Sequence, residues 1–495
     1  MQHDTGHLSP RTSVQVPVGI VVGLITLFTG LLIGVGGPVV GVAMAAMILA
    51  ASALFLPINW VFWLLAITTF VLAGPIQYFG HVQKVFWLPY LIGLLMLFKA
   101  LAAHLFSSTR RGNRTVSAPA IGIAVMLYLV TLVTSSLFNA APVFQVLLSL
   151  KEYFFLIGAG LAIYWGSIQR DNIDKLLRYS HWYLIVQFPV IVYQHFVIAA
   201  KRVGPSPWDS IVGLMSGDPE GGGASATMVL VILVIMTYHL AQWRQGECRT
   251  GKLLITLAIG MASIVLAEVK FAIILLPVAF GLVYLKEILK RPVFGFSALV
   301  GSLLLASAVL FAYQAQFSSA HTKSGTSVAG YVEETIERNT GDEQINLTTG
   351  EMGRVAAVKF WWRNHSADDP LRLLLGHGVG ASRIGMEAGE VAQRYRFEIG
   401  RTSLVTLLWE GGIFTAGAVV MILALGALAG LRRSYAASTA GERAMLQTAG
   451  IALTLTLAML PYGPDLISVS QAQLLAILFL GRILAGESTA KVSTQ

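Results

Sequence analysis

Cysteine and charge are both scarce in this sequence. There is a single cysteine, Cys248, which excludes an internal disulfide framework and a metal site built from several thiolates. Aspartate, glutamate, lysine and arginine together make up 12% of the 495 residues. That is about half of their share in an average soluble domain. The chain therefore has too little charge to form an ordinary soluble surface.

Apolar sequence takes the place of the missing charge. Hydrophobic residues make up 55% of the chain, and the mean hydropathy is +0.71. Apolar segments of roughly 20 residues, the length that crosses a bilayer as a helix, recur almost throughout. The ten-residue alternation of an outer-membrane barrel is absent. We predict an all-α polytopic membrane protein with about fourteen spans. Their approximate ranges are 16–34, 38–56, 58–76, 85–106, 119–138, 145–166, 181–200, 223–243, 253–267, 270–285, 294–314, 402–431, 446–461 and 466–484.

Basic residues indicate the orientation of these spans. The loops after the fourth, sixth, eighth, tenth and twelfth predicted spans each carry three basic residues, whereas the short loops on the other side carry few. Because cytoplasmic loops are enriched in lysine and arginine, both termini are predicted to be cytoplasmic. This bias explains the formal charge of +9 without a nucleic-acid partner. The opening residues MQHDTGHLSPR lack the basic region of a cleaved signal, so we expect the first helix to be retained.

The predicted organisation has three parts. Residues 1–314 form an N-terminal region of about eleven transmembrane helices, and 315–401 form one large extracytoplasmic loop. Residues 402–495 contain about three further helices and a cytoplasmic tail. The long loop is the only extended hydrophilic insertion, so we expect the functional surface on its side of the membrane.

Charged residues near the predicted outer ends of the spans point to an anionic ligand. Charged groups inside spans usually face a cavity or a pathway. Local ion pairs or side chains that snorkel to the lipid surface are the alternative for each residue alone. Several cations that converge on one face, with carboxylates beside them, favour an anion site. The residues concerned are Lys151, Arg202, Asp218, Glu268 and Lys270.

The long loop contains a basic aromatic helix and a glycine turn. Apolar residues at helical spacing predict an amphipathic helix from about Met352 to His365, with Arg354 near its start. The turn Gly376-His377-Gly378-Val379-Gly380 could bring backbone close to a ligand. It follows no Rossmann strand, which excludes a dinucleotide site of that type.

The order of these features resembles the C-terminal signature of the O-antigen ligase and polymerase superfamily. The resemblance rests on Gly353-Arg354, the aromatic helix, Pro370, the sequence LLLGHGVG and the sequence RTSLVTLLWEGGIFTAG at 401–417. In that family the helix after the large periplasmic loop typically opens with His-Asn and continues to Glu-x-Gly. Glu410 and Gly412 match this spacing, but Arg401-Thr402 stands where His-Asn is expected.

The resemblance implies a membrane glycosyltransferase with a GT-C-like helical bundle. Its donor would be an undecaprenyl-pyrophosphate-linked oligosaccharide, and it would need no cofactor and no metal. Arg354, Arg401, Glu268 and Glu410 are the expected catalytic residues. Substrate contacts are expected from Lys270, Arg202, Lys151, His377, Gly378, Gly380 and Asp218.

Arginine in place of histidine at position 401 favours a repeat-unit polymerase in the bacterial inner membrane, with its active site in the periplasm. A flippase and a polysaccharide co-polymerase would be its partners. A ligase that transfers glycan to lipid A-core, with His377 or His365 in place of the missing histidine, remains an alternative. A transporter of lipid-linked oligosaccharide is the alternative of another class, although no inverted repeat is evident.

Overall fold

The computed structural model describes residues 54–106, 119–202, 207–291, 293–297, 300–301, 345–346, 350–365, 369–384, 389–395 and 397–485, with 304, 307 and 311. Residues Met1–Val61 and Phe62–Gln495 form separate compact units, and every site residue discussed below belongs to the second. The predicted span 16–34 and all but the last three residues of 38–56 lie outside the described residues, as do most of 294–314 and the first part of the long loop.

The described chain is almost entirely helical, as predicted. Its helices are α1 (Ile58–Ile67), α2 (Ala73–Gly80), α3 (Trp87–Phe106), α4 (Pro119–Phe138), α5 (Val143–Leu150), α6 (Ile157–Tyr164), α7 (Arg170–Arg178), α8 (Ser180–Tyr193), α9 (Ser225–Arg244), α10 (Thr250–Leu266), α11 (Ala272–Val283), α12 (Leu285–Lys290), α13 (Arg354–Asn364), α14 (Pro370–Leu375), α15 (Ser403–Ala436), α16 (Ala440–Met459), α17 (Asp465–Ser468) and α18 (Ser470–Leu484). Two short antiparallel strands, β1 (Ile345–Asn346) and β2 (Glu351–Met352), lie before α13.

Seven helical segments of the described chain are long and apolar enough to cross a membrane. Large apolar side chains on them are exposed, such as Ile123, which is 69% exposed, and Leu137, which is 76% exposed. Surfaces of this kind suit lipid rather than water. The protein is an α-helical membrane protein. The seven segments are Ile58–Gly80, Gln83–Phe106, Pro119–Phe138, Val143–Tyr164, Ser180–Lys201, Ser225–Arg244 and Ser403–Ala436.

Helix α9 lies at the centre of the bundle. Every residue from Thr227 to Ala241 is buried, and the helix packs against α8, α10, α11, α16 and α18. A helix that is apolar on all sides is expected to be surrounded by other helices. Its N-terminal end, where Thr227 lies, and its C-terminal end, where Gln242 lies, therefore mark the two ends of the bundle.

Helix α15 carries the long loop back into the bundle and is kinked. Gly412 has φ of 67° and ψ of −167° inside the helix. A side chain at this position would overlap the carbonyl group of Leu374, which belongs to α14. The kink therefore lets the end of the long loop pack directly against a membrane helix, beside Glu410.

Candidate functional site

Arg354 contacts Tyr462 in the turn after α16. Its Nε donates a hydrogen bond to the carbonyl oxygen of Tyr462, and its guanidinium carbon lies 4.0 Å from the centre of the Tyr462 ring. Phe271 stacks on the same ring, with centroids 4.2 Å apart and planes 11° apart. Tyr462 therefore joins the long loop to the turn before α11, where Lys270 precedes Phe271.

Charges of both signs surround the Tyr462 phenol. Burial raises the pKa of Tyr462, and the positive charges of Arg354 and Arg401 oppose that shift. The carboxylates of Asp465 and Asp209 reinforce it. Arg354 and Arg401, which are 47 positions apart in the sequence, thus lie within electrostatic range of one phenol.

Hydrogen bonds fix Arg401 beside this turn. The Thr402 side chain caps α15 by accepting a hydrogen bond from Val405 N at 3.2 Å. The backbone N–H of Ser403 donates to Gly463 O at 2.8 Å, and its hydroxyl accepts a hydrogen bond from Leu466 N at 3.0 Å. Arg401 also forms an ion pair of 3.3 Å with Glu398, in which both side chains are about a quarter exposed. A pair exposed to this degree contributes little to stability.

Asp465 is a buried carboxylate at the same place. Its side chain accepts a hydrogen bond of 2.8 Å from the Thr227 hydroxyl, and the residue is 7% exposed. Burial raises the pKa of Asp465, whereas the Thr227 hydrogen bond and the charge of Arg354 lower it. A carboxyl of raised pKa next to cations is a candidate proton acceptor.

Glu268 and Lys270 form the turn between α10 and α11. Glu268 has a positive φ of 51°, which is uncommon for a residue with a side chain. Both side chains are half-buried. The turn brings Phe271 onto the Tyr462 ring, which Arg354 also contacts. Lys270 is the residue immediately before Phe271.

The segment that precedes α9 is buried in the bundle at residues 211–217, whereas its glycine-rich end, 218–223, is half-buried or exposed. The side-chain oxygen of Gln194 accepts hydrogen bonds from Val212 N at 3.0 Å and Gly213 N at 2.7 Å. Arg202 donates to the carbonyl oxygen of Glu220, and Asp218 accepts from Glu220 N at 2.9 Å. The contacts of Arg202 and Asp218 thus shape this segment, which leads directly to Thr227.

Lys151 lies in a π-helical segment, Lys151–Phe155, and is 5% exposed. Its ammonium group forms an ion pair of 2.7 Å with Glu152 and lies 4.7 Å from the centre of the Trp87 ring. The carbonyl oxygen of Glu152 accepts a hydrogen bond from Gln473 in α18. The Lys151 charge is therefore neutralised locally.

Glu410 fastens the glycine turn to the membrane helices. Its carboxylate accepts hydrogen bonds from the Tyr153 hydroxyl at 2.6 Å, Gly380 N at 2.6 Å and the Ser382 hydroxyl at 2.7 Å. A weaker bond of 3.4 Å comes from Ser382 N. The residue is 3% exposed. Through these contacts Glu410 positions the glycine turn against the membrane helices.

The glycines of the turn pack against the chain itself. A Cβ at Gly378 would lie 2.9 Å from the Ala141 Cβ, and one at Gly380 would overlap the Ser149 hydroxyl. The sequence suggested that these glycines admit a ligand. In the structure their close approaches are made to α4, α5 and the segment between them.

His365 and His377 form a hydrogen-bonded pair that the sequence did not reveal. Their Nε2 atoms are 3.0 Å apart, and His365 Nδ1 lies 2.8 Å from the Trp361 carbonyl oxygen. Because that oxygen only accepts, His365 carries its proton on Nδ1 and His377 donates from Nε2. His377 Nδ1 then holds a lone pair.

Burial favours the neutral form of both histidines. Burial lowers the pKa of His377 to about 4, with the charges of His365 and Arg372 adding to the shift. Burial also lowers the pKa of His365. The two rings pack against the buried Trp409, with ring centroids 4.9 Å and 5.6 Å from it.

Helix α13 confirms the predicted helix in the long loop. Its buried residues are Ala356, Ala357 and Trp361, whereas Trp362 is 62% exposed. Adjacent residues on a helix point about 100° apart, and here Trp361 faces the interior of the protein whereas Trp362 does not.

Tyr462, Thr227 and Asp465 were missed as site residues, and the pairing of His365 with His377 was not predicted, although His377 itself was. Of the missed residues, Asp465 has a signal in the sequence, as a charge in the short loop between the last two predicted spans. In the part of the chain that the structure describes, no group of three or more His, Cys, Asp or Glu side chains is arranged to hold a metal ion.

No family model matches the sequence, and no curated protein matches it.

Proposed function

We propose that this protein is a membrane glycosyltransferase that joins undecaprenyl-pyrophosphate-linked oligosaccharide repeat units into a surface polysaccharide. One observation carries the proposal: Arg354 and Arg401 lie around Tyr462, beside the buried carboxylate of Asp465. The resemblance of 353–417 to the O-antigen ligase and polymerase superfamily supports the choice of substrate. The proposal includes a GT-C-like bundle of about fourteen spans.

The two guanidinium groups would bind the pyrophosphate of the donor. Guanidinium donates paired hydrogen bonds to phosphate oxygens and keeps its charge at any physiological pH. During the reaction the bond between the anomeric carbon and the pyrophosphate oxygen breaks, and negative charge grows on the leaving group. Cations fixed at that position stabilise the transition state more than the ground state. The Tyr462 contacts hold Arg354 in place before the substrate arrives.

A carboxylate would accept the proton of the attacking sugar hydroxyl. Asp465 is the candidate that lies within electrostatic range of Arg354, and Glu268 is the candidate in the neighbouring turn. The oxygen of the acceptor hydroxyl forms the new bond to the anomeric carbon, and its proton passes to the carboxylate. A carboxyl of raised pKa is the stronger base once ionised.

The orientation predicted from the basic loops puts this site on the periplasmic face of the inner membrane. Lipid-linked repeats reach that face after a flippase has moved them, and a co-polymerase would control chain length. Both partners belong to the proposal.

The purified protein in liposomes tests the proposal when it is given the lipid-linked repeat alone. We expect a ladder of longer glycans without any other acceptor. Asp465→Asn and Glu268→Gln are compared in the same assay, and the one that acts as base should lose the ladder while it still binds donor. No elongation by the wild-type protein, with or without a co-polymerase, would refute a polymerase.

The histidine pair favours a second candidate, the O-antigen ligase. His377 Nδ1 holds a lone pair at neutral pH and could act as a base. A ligase would leave the lipid-linked repeat unchanged until lipid A-core is added. Its activity would then depend on His377, whereas the polymerase would tolerate His377→Gln if the loop remains folded.

A further inference from the structure

A charged cavity of about 710 Å³ lies at the end of the bundle opposite Tyr462. Gln242 of α9 and Arg482 of α18 line it, whereas Thr227 and Ser470 of the same two helices lie near Asp465. Thr227 and Gln242 are 15 residues apart in α9, which is about 22 Å along a helix. The cavity is therefore separate from the proposed glycosyl-transfer site.

Five basic residues line this cavity against three acidic ones, a formal excess of two positive charges. The acidic residues are Asp174, Glu247 and Glu442. The volume lies in the range of sites for small molecules, roughly 300–1,000 Å³. The basic residues are Arg170, Arg178, Arg249, Lys252 and Arg482.

Arg482 is the residue that indicates a ligand. It is 3% exposed, yet neither its Nε nor its Nη1 donates a hydrogen bond. Its Nη2 donates to Glu442 at 3.4 Å, and its Nε lies 3.9 Å from an oxygen of Asp174, beyond hydrogen-bond range. A guanidinium group carries five N–H bonds, and leaving buried ones unsatisfied is costly. An acceptor placed in the cavity would satisfy them.

Two helix N-termini add to the positive potential. Thr439 caps α16 by accepting a hydrogen bond from Glu442 N, and Gly441 in the first turn also lines the cavity. Arg249 is the cap residue of α10. The first turn of a helix presents unpaired backbone N–H groups and a partial positive charge, which favour anions.

We propose that this cavity binds an anion that carries phosphate, with Arg482 as its buried ligand. The phosphate could belong to a soluble phosphorylated molecule or to the headgroup of an anionic lipid. Phosphate oxygens match the orphaned guanidinium N–H groups, and a diphosphate would balance the excess positive charge of the lining. This inference does not depend on the proposed glycosyltransferase activity.

Cys248 provides a direct measure of occupancy because it lines the cavity and is the only cysteine of the chain. The full-length protein is placed in phosphatidylcholine nanodiscs, and the rate of maleimide labelling at Cys248 is measured as inorganic pyrophosphate is added. We expect labelling to slow to a plateau. In parallel, nanodiscs that contain phosphatidic acid test the lipid source without added pyrophosphate.

Variants identify the site. Arg482→Gln should raise the half-protecting concentration about tenfold or more, as expected for the loss of a charged ligand. If that variant does not fold, Arg178→Gln, which removes an exposed charge of the lining, should raise it several-fold. Lys175→Gln on the same helix α7 is the matched control, because it lies outside the lining. Glu442→Gln should tighten binding by freeing Arg482.

The double variant Arg354→Ala/Arg401→Ala should keep full protection of Cys248, which separates this site from the proposed active site. Protection by pyrophosphate assigns a soluble ligand, and protection by phosphatidic acid assigns a lipid. The cavity is not an anion site if neither pyrophosphate nor phosphatidic acid slows the labelling of Cys248. The same conclusion follows if Cys248 is protected in Arg482→Gln and Arg178→Gln as well as in the wild type.

Discussion

Replacing Glu410 separates a structural role from a chemical one. The carboxylate accepts strong hydrogen bonds from Tyr153, Gly380 and Ser382 in a buried setting. Glu410→Ala would leave these donors without an acceptor. At about 1–3 kcal/mol for each buried unsatisfied group, with some relief from relaxation, we expect a loss of about 3–5 kcal/mol in unfolding free energy.

Glu410→Gln should be much milder. Its side-chain oxygen can still accept from Tyr153 and Gly380 N, while the Ser382 hydroxyl can rotate to accept from the new amide group. Only the 3.4 Å bond from Ser382 N and the benefit of the charge are lost. We expect a loss of about 1–2 kcal/mol.

Thermal unfolding in detergent gives the stability of both variants, and hydrogen exchange at 378–382 reports whether the glycine turn is still held. The alanine variant should exchange fast there and make no polymer, whereas the glutamine variant should exchange slowly and stay active. A glutamine variant that is inactive with a protected turn would show that Glu410 acts in the chemistry, and the positioning role would be wrong.

Three further predictions concern other parts of the site. Gly412→Ala should abolish the folded loop, because φ is 67° there and a Cβ would overlap the Leu374 carbonyl. Gly417→Ala is the control, because a Cβ there meets open space, and it should be neutral or slightly stabilising in thermal unfolding. The histidine pair should make stability fall as pH drops from about 6.5 to about 4, since the unfolded chain binds protons there that folded His377 does not. His377→Gln should flatten that part of the melting-temperature profile, and an unchanged profile would show that the pair does not titrate as described. Asp465→Asn should preserve the Thr227 hydrogen bond and lower the unfolding free energy by no more than about 1–2 kcal/mol. It should nevertheless abolish elongation if Asp465 is the base.

The helices were predictable because their cause is local. Apolar runs of membrane-spanning length between basic loops predict transmembrane helices. The structure has helices at every predicted span whose residues are all described. The observed bounds differ by a few residues. Pattern alone does not show the π-helical segments Thr68–Leu72, Lys151–Phe155 and Gln194–Ile198, because one inserted residue leaves the apolar composition unchanged.

The site was less predictable because its contacts join distant parts of the chain. Arg354 stood out by its place in a resembling motif, but its partner Tyr462 is 108 residues away. Glu410 was expected to be catalytic from its place in the same motif, but the donors to its carboxylate, a tyrosine, a serine and a backbone amide, could not be predicted. The end of the long loop packs beside Glu410 at the kink of Gly412, which a Gly-Gly pair suggests but does not specify.

The most direct test of the central claim is the release of undecaprenyl pyrophosphate by purified protein given lipid-linked repeat units. Arg354→Ala and Arg401→Ala should each lower the rate of release by about 100-fold or more, since each removes a charge that stabilises the leaving group. Arg363→Ala is the matched control, because it removes an exposed arginine from the same helix α13. It should release lipid pyrophosphate at the wild-type rate. Wild-type release by the double variant Arg354→Ala/Arg401→Ala would contradict the account.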